Sequence, residues 1–252
     1  MNSEQRPLSP SSINAYLACS ARWHYKYVER LPDATGGAAA RGRAVDRIVK
    51  FWFTRQIAGD PMPRAAELQH AWDAIWDEES DAATWLPGED PSELKQTGAE
   101  LAALYLRDVA PDIDAAAVDV EVSGEIAGVP VRGFVDMVDS SGAVVDFKVK
   151  RAKPPGVSAA EAVQFATYAE LTPNASGAVR MEAIVATKTP QLIHIGYQVS
   201  PADRLMVNRL YPHVAGAMAS GVYCPNRSGN TCSRKYCAFA DRCCQEFGGI
   251  VW

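Results

Sequence analysis

No stretch of this 252-residue chain is an apolar run long enough to span a bilayer. The first ten residues, Met1 to Pro10, are polar, with none of the apolar character of a secretory leader. Membrane insertion and secretion are therefore not expected, and a cytoplasmic location is. A positive charge balance is missing too: the formal net charge is −5. Proteins that coat nucleic acid without sequence preference draw their affinity from neutralising phosphates and are usually basic, so that class is disfavoured. A local basic track remains compatible with the balance, and its candidates are Arg41, Arg43, Lys148, Lys150, Arg151, Lys153, Lys188, Arg234 and Lys235. No internal repeat or low-complexity tract is evident. The six cysteines do not make a disulfide framework. Cys19 stands alone, while Cys224, Cys232, Cys237, Cys243 and Cys244 crowd the last thirty residues, a distribution that points to metal.

What remains is ordinary globular material, 48% hydrophobic and 22% charged, enough for a sizeable core. Ser9-Pro10 starts a helix with a capping serine and a proline in the first turn. An aromatic-rich segment follows through Trp23, Tyr27 and Val28, and a Gly/Ala loop is expected from Asp33 to Ala40. Val45, Ile48, Val49 and Trp52 fall at i, i+3, i+4 and i+7, which predicts a helix over about 39–56. Further helices are expected over 64–79, on Leu68, Trp72, Ile75 and Trp76, and over 92–109, on Leu94, Leu101, Leu104 and Tyr105. Residues 60–112 thus read as a helical insertion. Strands are expected over 118–126, 129–138 and 143–150 as a meander turning at Gly128 and at Ser140-Ser141-Gly142. A helix over 158–171, strands over 179–187 and 192–199 and a helix over 201–219 complete the pattern, before a Cys-rich tail over 221–249. The fold class is α/β (α+β), a mixed sheet flanked by helices with a helical lobe.

One hairpin carries the chemistry. In Ala143-Val144-Val145-Asp146-Phe147-Lys148, an aspartate interrupts an apolar run, although aspartate is depleted in strands and costly to bury alone. Alternation puts Asp146 and Lys148 on one face, with Asp136 on the neighbouring strand. Two carboxylates and a lysine converging on one point suit metal-assisted phosphodiester hydrolysis. The plainer reading is a structural salt bridge between Asp146 and Lys148. Asp46, at the edge of the apolar helix stripe, can supply a third oxygen or simply pair with Arg43 or Lys50. Gln164 and Tyr168 share a helix face at i, i+4, and Glu121 and Glu125 are within conceivable reach.

Taken together, these residues resemble the PD-(D/E)XK nuclease superfamily, in particular RecB-like, CRISPR-associated and phage-encoded exonucleases that carry an iron–sulfur cluster. The matching elements run in order: Leu8-Ser9-Pro10-Ser11 through Tyr16 and Cys19, Gly42 to Asp46, Gly133 to Asp136, Asp146-Phe147-Lys148, and Gln164 to Tyr168. The departure is Asp46, where that family usually has histidine; aspartate is also a competent Mg²⁺ or Mn²⁺ ligand. The resemblance implies a restriction-endonuclease-like fold in a single domain over 1–252. Asp46, Asp136, Asp146 and the Phe147 carbonyl would hold Mg²⁺ or Mn²⁺, and Lys148 would act on the attacking water or the phosphorane-like charge. Gln164 and Tyr168 would brace the lysine or the DNA. It further implies a 4Fe–4S cluster on Cys19, Cys232, Cys237 and Cys243, although four thiolates suit zinc equally. The implied activity is a DNA exonuclease, more than an endonuclease, acting on single- or double-stranded ends in recombination, repair or phage replication, with a recombination or replication protein as partner. The alternative is a catalytically silent nucleic-acid-binding accessory protein. If the chain is phage-encoded, the cytoplasm is that of the bacterial host.

Overall fold

The computed structural model describes residues 7–33, 36–172 and 176–251. The expected alternation becomes five strands in the spatial order of the chain: β1 (Ala115–Ile126), β2 (Val129–Asp139), β3 (Val144–Lys150), β4 (Ala178–Val185) and β5 (Gln191–Gln198). β1–β2, β2–β3 and β4–β5 are antiparallel; β3 and β4 are parallel, joined by the crossover helix α6 (Ala159–Leu171). The sheet is therefore mixed, as the sequence pattern implies.

Each face of the sheet has its own apolar layer. On one side lies α3 (Gly37–Ala58), with α4 (Ala65–Asp81) and α5 (Pro91–Asp108) outside it. Val45, Ile48, Phe53, Trp72, Trp76, Leu101 and Tyr105 pack there against Met137, Val145, Phe147 and Ile184. On the other side lie α6, α7 (Pro201–Ala219) and α1 (Pro10–Ala18), packed on Val131, Val135, Val144, Val179 and Met181. Alternation along β3 thus sends Val145 and Phe147 to the α3 layer, and Val144 with Asp146 to the α6 layer.

Several boundaries differ from expectation for identifiable reasons. α3 begins at Gly37 rather than near residue 39, so part of the expected Gly/Ala loop is helical; residues 34 and 35 of that loop lie outside the described residues. The Gly37 amide is capped by the Glu89 carboxylate, 2.9 Å away and 52 residues distant in the chain. A Cβ on Gly37 would come within 2.3 Å of the Trp85 ring, so only glycine permits that packing. The N-terminal aromatic segment is two helices, α1 and α2 (Ser20–Tyr27), because Cys19 takes an extended backbone (φ −165, ψ 103) at their junction. β1 starts three residues earlier than expected, at Ala115, where the Ala115 amide is held by the Gln56 side chain on α3. The tail contains a short helix, α8 (Ala240–Phe247), that the sequence reading leaves irregular.

Candidate active site

The site is made by a defect in the sheet. β2 and β3 pair only through Met137↔Val145 and Val138↔Val144 and then part. Two residues beyond Val145, the amide of Phe147 donates instead to the Asp136 carboxylate at 3.1 Å. Asp136 therefore replaces a missing rung of the ladder with a side chain, which satisfies a backbone donor that would otherwise be orphaned. The same contact fixes the carboxylate beside Asp146-Phe147-Lys148.

Helix α3 supplies the third side. Asp46 and Lys50 lie one turn apart, and the Lys50 ammonium stands among three carboxylates. It is 2.8 Å from Asp46, 2.7 Å from Asp119 and 3.0 Å from Asp136. Asp119 lies opposite Asp136 on β1, in the left-handed region (φ 51), a conformation that aspartate tolerates better than most residues. Burial pushes the Asp46 carboxyl up to about 6, with the Asp136 charge adding and Lys50 opposing. Burial would lower the Lys50 pKa, but Asp136 and Asp46 outweigh it and hold the ammonium charged.

Asp146 is almost completely buried, 1% exposed. Its Oδ1 accepts from Lys148 Nζ at 2.7 Å and from Gln164 Nε2 at 2.9 Å. Burial raises its pKa to about 6, opposed by Lys148 and reinforced by Asp136. Burial alone would depress Lys148, yet Asp146 and Asp136 carry its pKa upward. Gln164 also donates to the Tyr168 hydroxyl at 2.9 Å, and that hydroxyl donates to the Phe134 carbonyl at 2.6 Å. Gln164 and Tyr168 thus tie α6 to Asp146 and β2; within this network Gln164 contacts the carboxylate rather than the lysine. A Cβ on Gly133 would sit 2.9 Å from Tyr168 Cε1, so the glycine lets that ring lie against β2.

The structure thus gathers Asp46, Asp136, Asp146, Phe147, Lys148, Gln164 and Tyr168 around one seam. Glu121 is elsewhere, paired with Arg132 on exposed strand surface, and Glu125 opposes Pro130 in the same β1–β2 ladder. Among the candidate basic groups, Arg43 is tied to Glu79, Lys150 to Glu161 and Arg234 to Asp241. Two site residues escaped the sequence reading. Lys50 was visible there only as a possible partner for Asp46. Asp119 falls opposite Asp136 once the hairpin is registered from its turn (Ile126↔Val129), and that count is the signal that finds it.

The carboxylate cluster suits a divalent cation. Asp46, Asp119, Asp136 and Asp146 against Lys50 and Lys148 leave a formal charge of −2. Asp46 Oδ1 and Asp146 Oδ2 are buried with no hydrogen-bond partner, which is costly for a carboxylate unless a cation is supplied. As placed, no three His, Cys, Asp or Glu side chains among the described residues form a ready metal cage. In the acidic cluster the two lysine ammoniums occupy carboxylate oxygens that a metal would take. The cysteines are free; Cys19, Cys232, Cys237 and Cys243 are among the residues that line one small pocket with Tyr25 and Phe239. Burial raises the Cys237 and Cys243 thiols, with Cys19 adding to both.

Comparison with known proteins adds the following. The family model of the PD-(D/E)XK nuclease superfamily matches residues 7–244. No curated protein matches the chain. Among solved structures, an exonuclease candidate from Eubacterium rectale is 14% identical, covers 100% of this chain and 95% of its own, and superimposes with a TM-score of 0.62, a likeness of fold. The structure of SSO0001, also 14% identical over 84% of this chain and 86% of its own, gives a TM-score of 0.36, too low to carry weight. Among the described residues no helix is long and apolar enough to cross a membrane.

Proposed function

The chain belongs to the PD-(D/E)XK nuclease superfamily, and on that premise we propose that it is a metal-dependent deoxyribonuclease, an exonuclease that trims DNA ends in recombination, repair or phage replication. The observation that carries this reading is the seam between β2 and β3. There Asp136, Asp146 and Asp46 gather with Lys148 alongside, and one oxygen each of Asp46 and Asp146 is buried without a hydrogen-bond partner. The superfamily generally uses divalent metals such as Mg²⁺ or Mn²⁺. Asp46, Asp136, Asp146 and the Phe147 carbonyl would hold one here, and it would supply Lewis acidity and a water acidified toward neutral pH.

The chain's own residues divide the remaining work. Lys148, with its pKa raised by Asp146 and Asp136, keeps its proton at neutral pH. It therefore serves better as a fixed positive charge for the phosphoryl oxygens than as a base. Gln164 holds Asp146 Oδ1 and leaves Oδ2 free to face the reaction. Tyr168, anchored on the Phe134 carbonyl, keeps Gln164 in place. Lys50 balances the acidic cluster and would have to yield Asp46 or Asp136 when a metal enters.

A structural 4Fe–4S cluster, or zinc, on Cys19, Cys232, Cys237 and Cys243 belongs to the same proposal. Its support is the single space the four residues line. It would clip α1 and α2 to the tail. A second reading, a silent nucleic-acid-binding accessory protein, is favoured by one observation: the Lys50 ammonium already saturates Asp46 Oδ2 and Asp136 Oδ1. Digestion of end-labelled linear DNA with Mg²⁺ or Mn²⁺, wild type against Asp146→Ala, separates the two. Metal-dependent release of nucleotides by the wild type alone is expected. Inactivity of a folded wild type would leave the accessory role.

A further inference from the structure

The mechanism above leaves unused a set of basic residues that no carboxylate holds. Arg41, Arg151, Lys153 and Lys188 make no ion pair among the described residues, whereas Lys148 and Lys150 are held by Asp146 and Glu161. Three of the four sit where strands end: Arg151 and Lys153 follow β3 and Lys188 follows β4, all exposed. The Ala186 amide donates to the Lys150 carbonyl at 2.7 Å, which keeps these two strand exits side by side. Residues 151–160 and 186–191 contain those three cations and no carboxylate. In a chain with a net charge of −5, that is a local reversal of sign.

Arg41 comes to the same place from α3. Its neighbour Gly42 packs on β3, where an added Cβ would lie 4.0 Å from Val149 Cβ. The Arg41 stem is held in a slot. A Cβ on Gly98 would come within 3.0 Å of Arg41 Cγ and 2.7 Å of the Trp72 ring, so the glycine on α5 is what makes room for the stem. One terminal nitrogen of the guanidinium donates to Thr97 Oγ1 at 3.3 Å, while Nε is buried and bonds to nothing. A guanidinium drawn partly out of water without an anion is costly. Burial and the charge of Arg151 push the Arg41 pKa below its ordinary value, with Glu93 opposing. Two arginines are thus near enough to repel, with neither in an ion pair, an arrangement that a shared anion relieves.

We infer that Arg41 and Arg151 form a phosphate clamp that holds the DNA backbone about three nucleotides from the bond presented to Asp146. The strand β3 sets that spacing. Lys148 to Arg151 is three steps of ~3.3 Å, or about 10 Å, and a B-form strand rises ~3.4 Å per nucleotide. A guanidinium offers phosphate oxygens two parallel N–H donors, which fixes orientation as well as charge. Lys153 and Lys188 add positive charge beside the clamp. Contacts of this kind set the register of a strand without reading its sequence. That the strand continues to Asp146 rests on the nuclease reading; that it is held at Arg41 and Arg151 does not.

The two are tested separately. Binding is measured by fluorescence anisotropy in EDTA on the full chain, across a salt series, with a labelled single strand and a blunt duplex. Arg41→Gln and Arg151→Gln should each reduce the slope of log K against log salt by ~0.7 on the single strand or ~0.9 on the duplex, which at about 0.1 M salt is a ~5–8-fold loss of affinity. Arg41→Lys, which keeps the charge and loses the fork, should restore the slope and only part of the affinity. Arg107→Gln, at an exposed arginine already paired with Asp108, should change neither. Arg151 is exposed, so its variant should melt with the wild type and decides the matter even if Arg41→Gln fails to fold. An unchanged slope in either folded variant, an equal drop in Arg107→Gln, or a wild type without salt-dependent binding overturns the inference. Cleavage is then followed with Mn²⁺, where Arg151→Gln should raise KM several-fold and hold kcat. Binding that the variants weaken, without cleavage by the wild type, would refute the nuclease reading and leave the clamp standing. Cleavage with one KM in wild type and variants would do the reverse.

Discussion

Replacing Asp46 with asparagine should make the metal-free protein more stable near neutral pH while disabling it. Asparagine keeps an oxygen for Lys50, and Lys50 keeps Asp119 and Asp136, so no buried charge loses its last partner. What disappears is a carboxyl whose pKa rises from 3.8 to about 6 on folding. Because the folded-state value is the higher one, this group's contribution to stability is complete below about 3.8 and is lost as pH climbs through about 6. Slightly more than two pKa units, at ~1.36 kcal/mol each, make the ionised Asp46 cost the fold about 3 kcal/mol at pH 7.5. For a chain of this length that corresponds to a melting shift of roughly 6–12 °C. Urea or thermal unfolding in EDTA at pH 4 and pH 7.5 reads it directly. Asp46→Asn should match the wild type at pH 4, to within the loss common to any substitution, and exceed it at pH 7.5. Excess Mg²⁺ should narrow the gap by stabilising only the wild type. A variant no more stable at pH 7.5 than at pH 4, relative to wild type, would refute the reasoning.

Two further expectations concern other parts of the molecule. Gly133→Ala should force the Tyr168 ring off β2, costing about 1–3 kcal/mol of stability. It should also lower cleavage more than binding, which parallel unfolding curves and nuclease assays would reveal; unchanged cleavage would show that Tyr168 does not hold Gln164. Cys237→Ala should yield a protein without the bound metal of the wild type and with a lower melting temperature, checked by metal analysis and visible absorbance; a variant with full metal content removes Cys237 from the ligand set.

Most of the architecture was legible because it rests on periodicity. The alternation through residues 129–150 and the turn at Ser140-Ser141-Gly142 fix the hairpin, and an aspartate inside the run Val144-Val145-Asp146-Phe147 marks a carboxylate that folding must bury. The i, i+4 pair Gln164 and Tyr168 likewise lands on one face, against that aspartate. What stayed hidden depends on contacts between distant segments. Lys50 reads as an ordinary surface lysine until α3 is laid across the seam. Asp119 is largely exposed and gains meaning only from its position opposite Asp136. The cap of α3 by Glu89 and the extended backbone at Cys19 are also tertiary facts, so helix boundaries there could not be read locally. The departure from the family pattern at Asp46 is now easier to place: a carboxylate there finds its balancing charge one turn away, on Lys50.

The short β2–β3 pairing divides the sheet into two hydrogen-bonded blocks, the β1–β2 hairpin and the β3–β4–β5 unit, joined by two residue pairs. Asp119 and Asp136 ride on the first block and Asp146 and Lys148 on the second. The spacing of the carboxylates is therefore set by side-chain contacts and not by ladder rungs: the Phe147 amide on Asp136, and Gln164 with Tyr168 linking Asp146 to the Phe134 carbonyl. On the proposed reading a cation would be held between these two blocks, and the Phe147 amide on Asp136 is the backbone-to-side-chain tie that spans them.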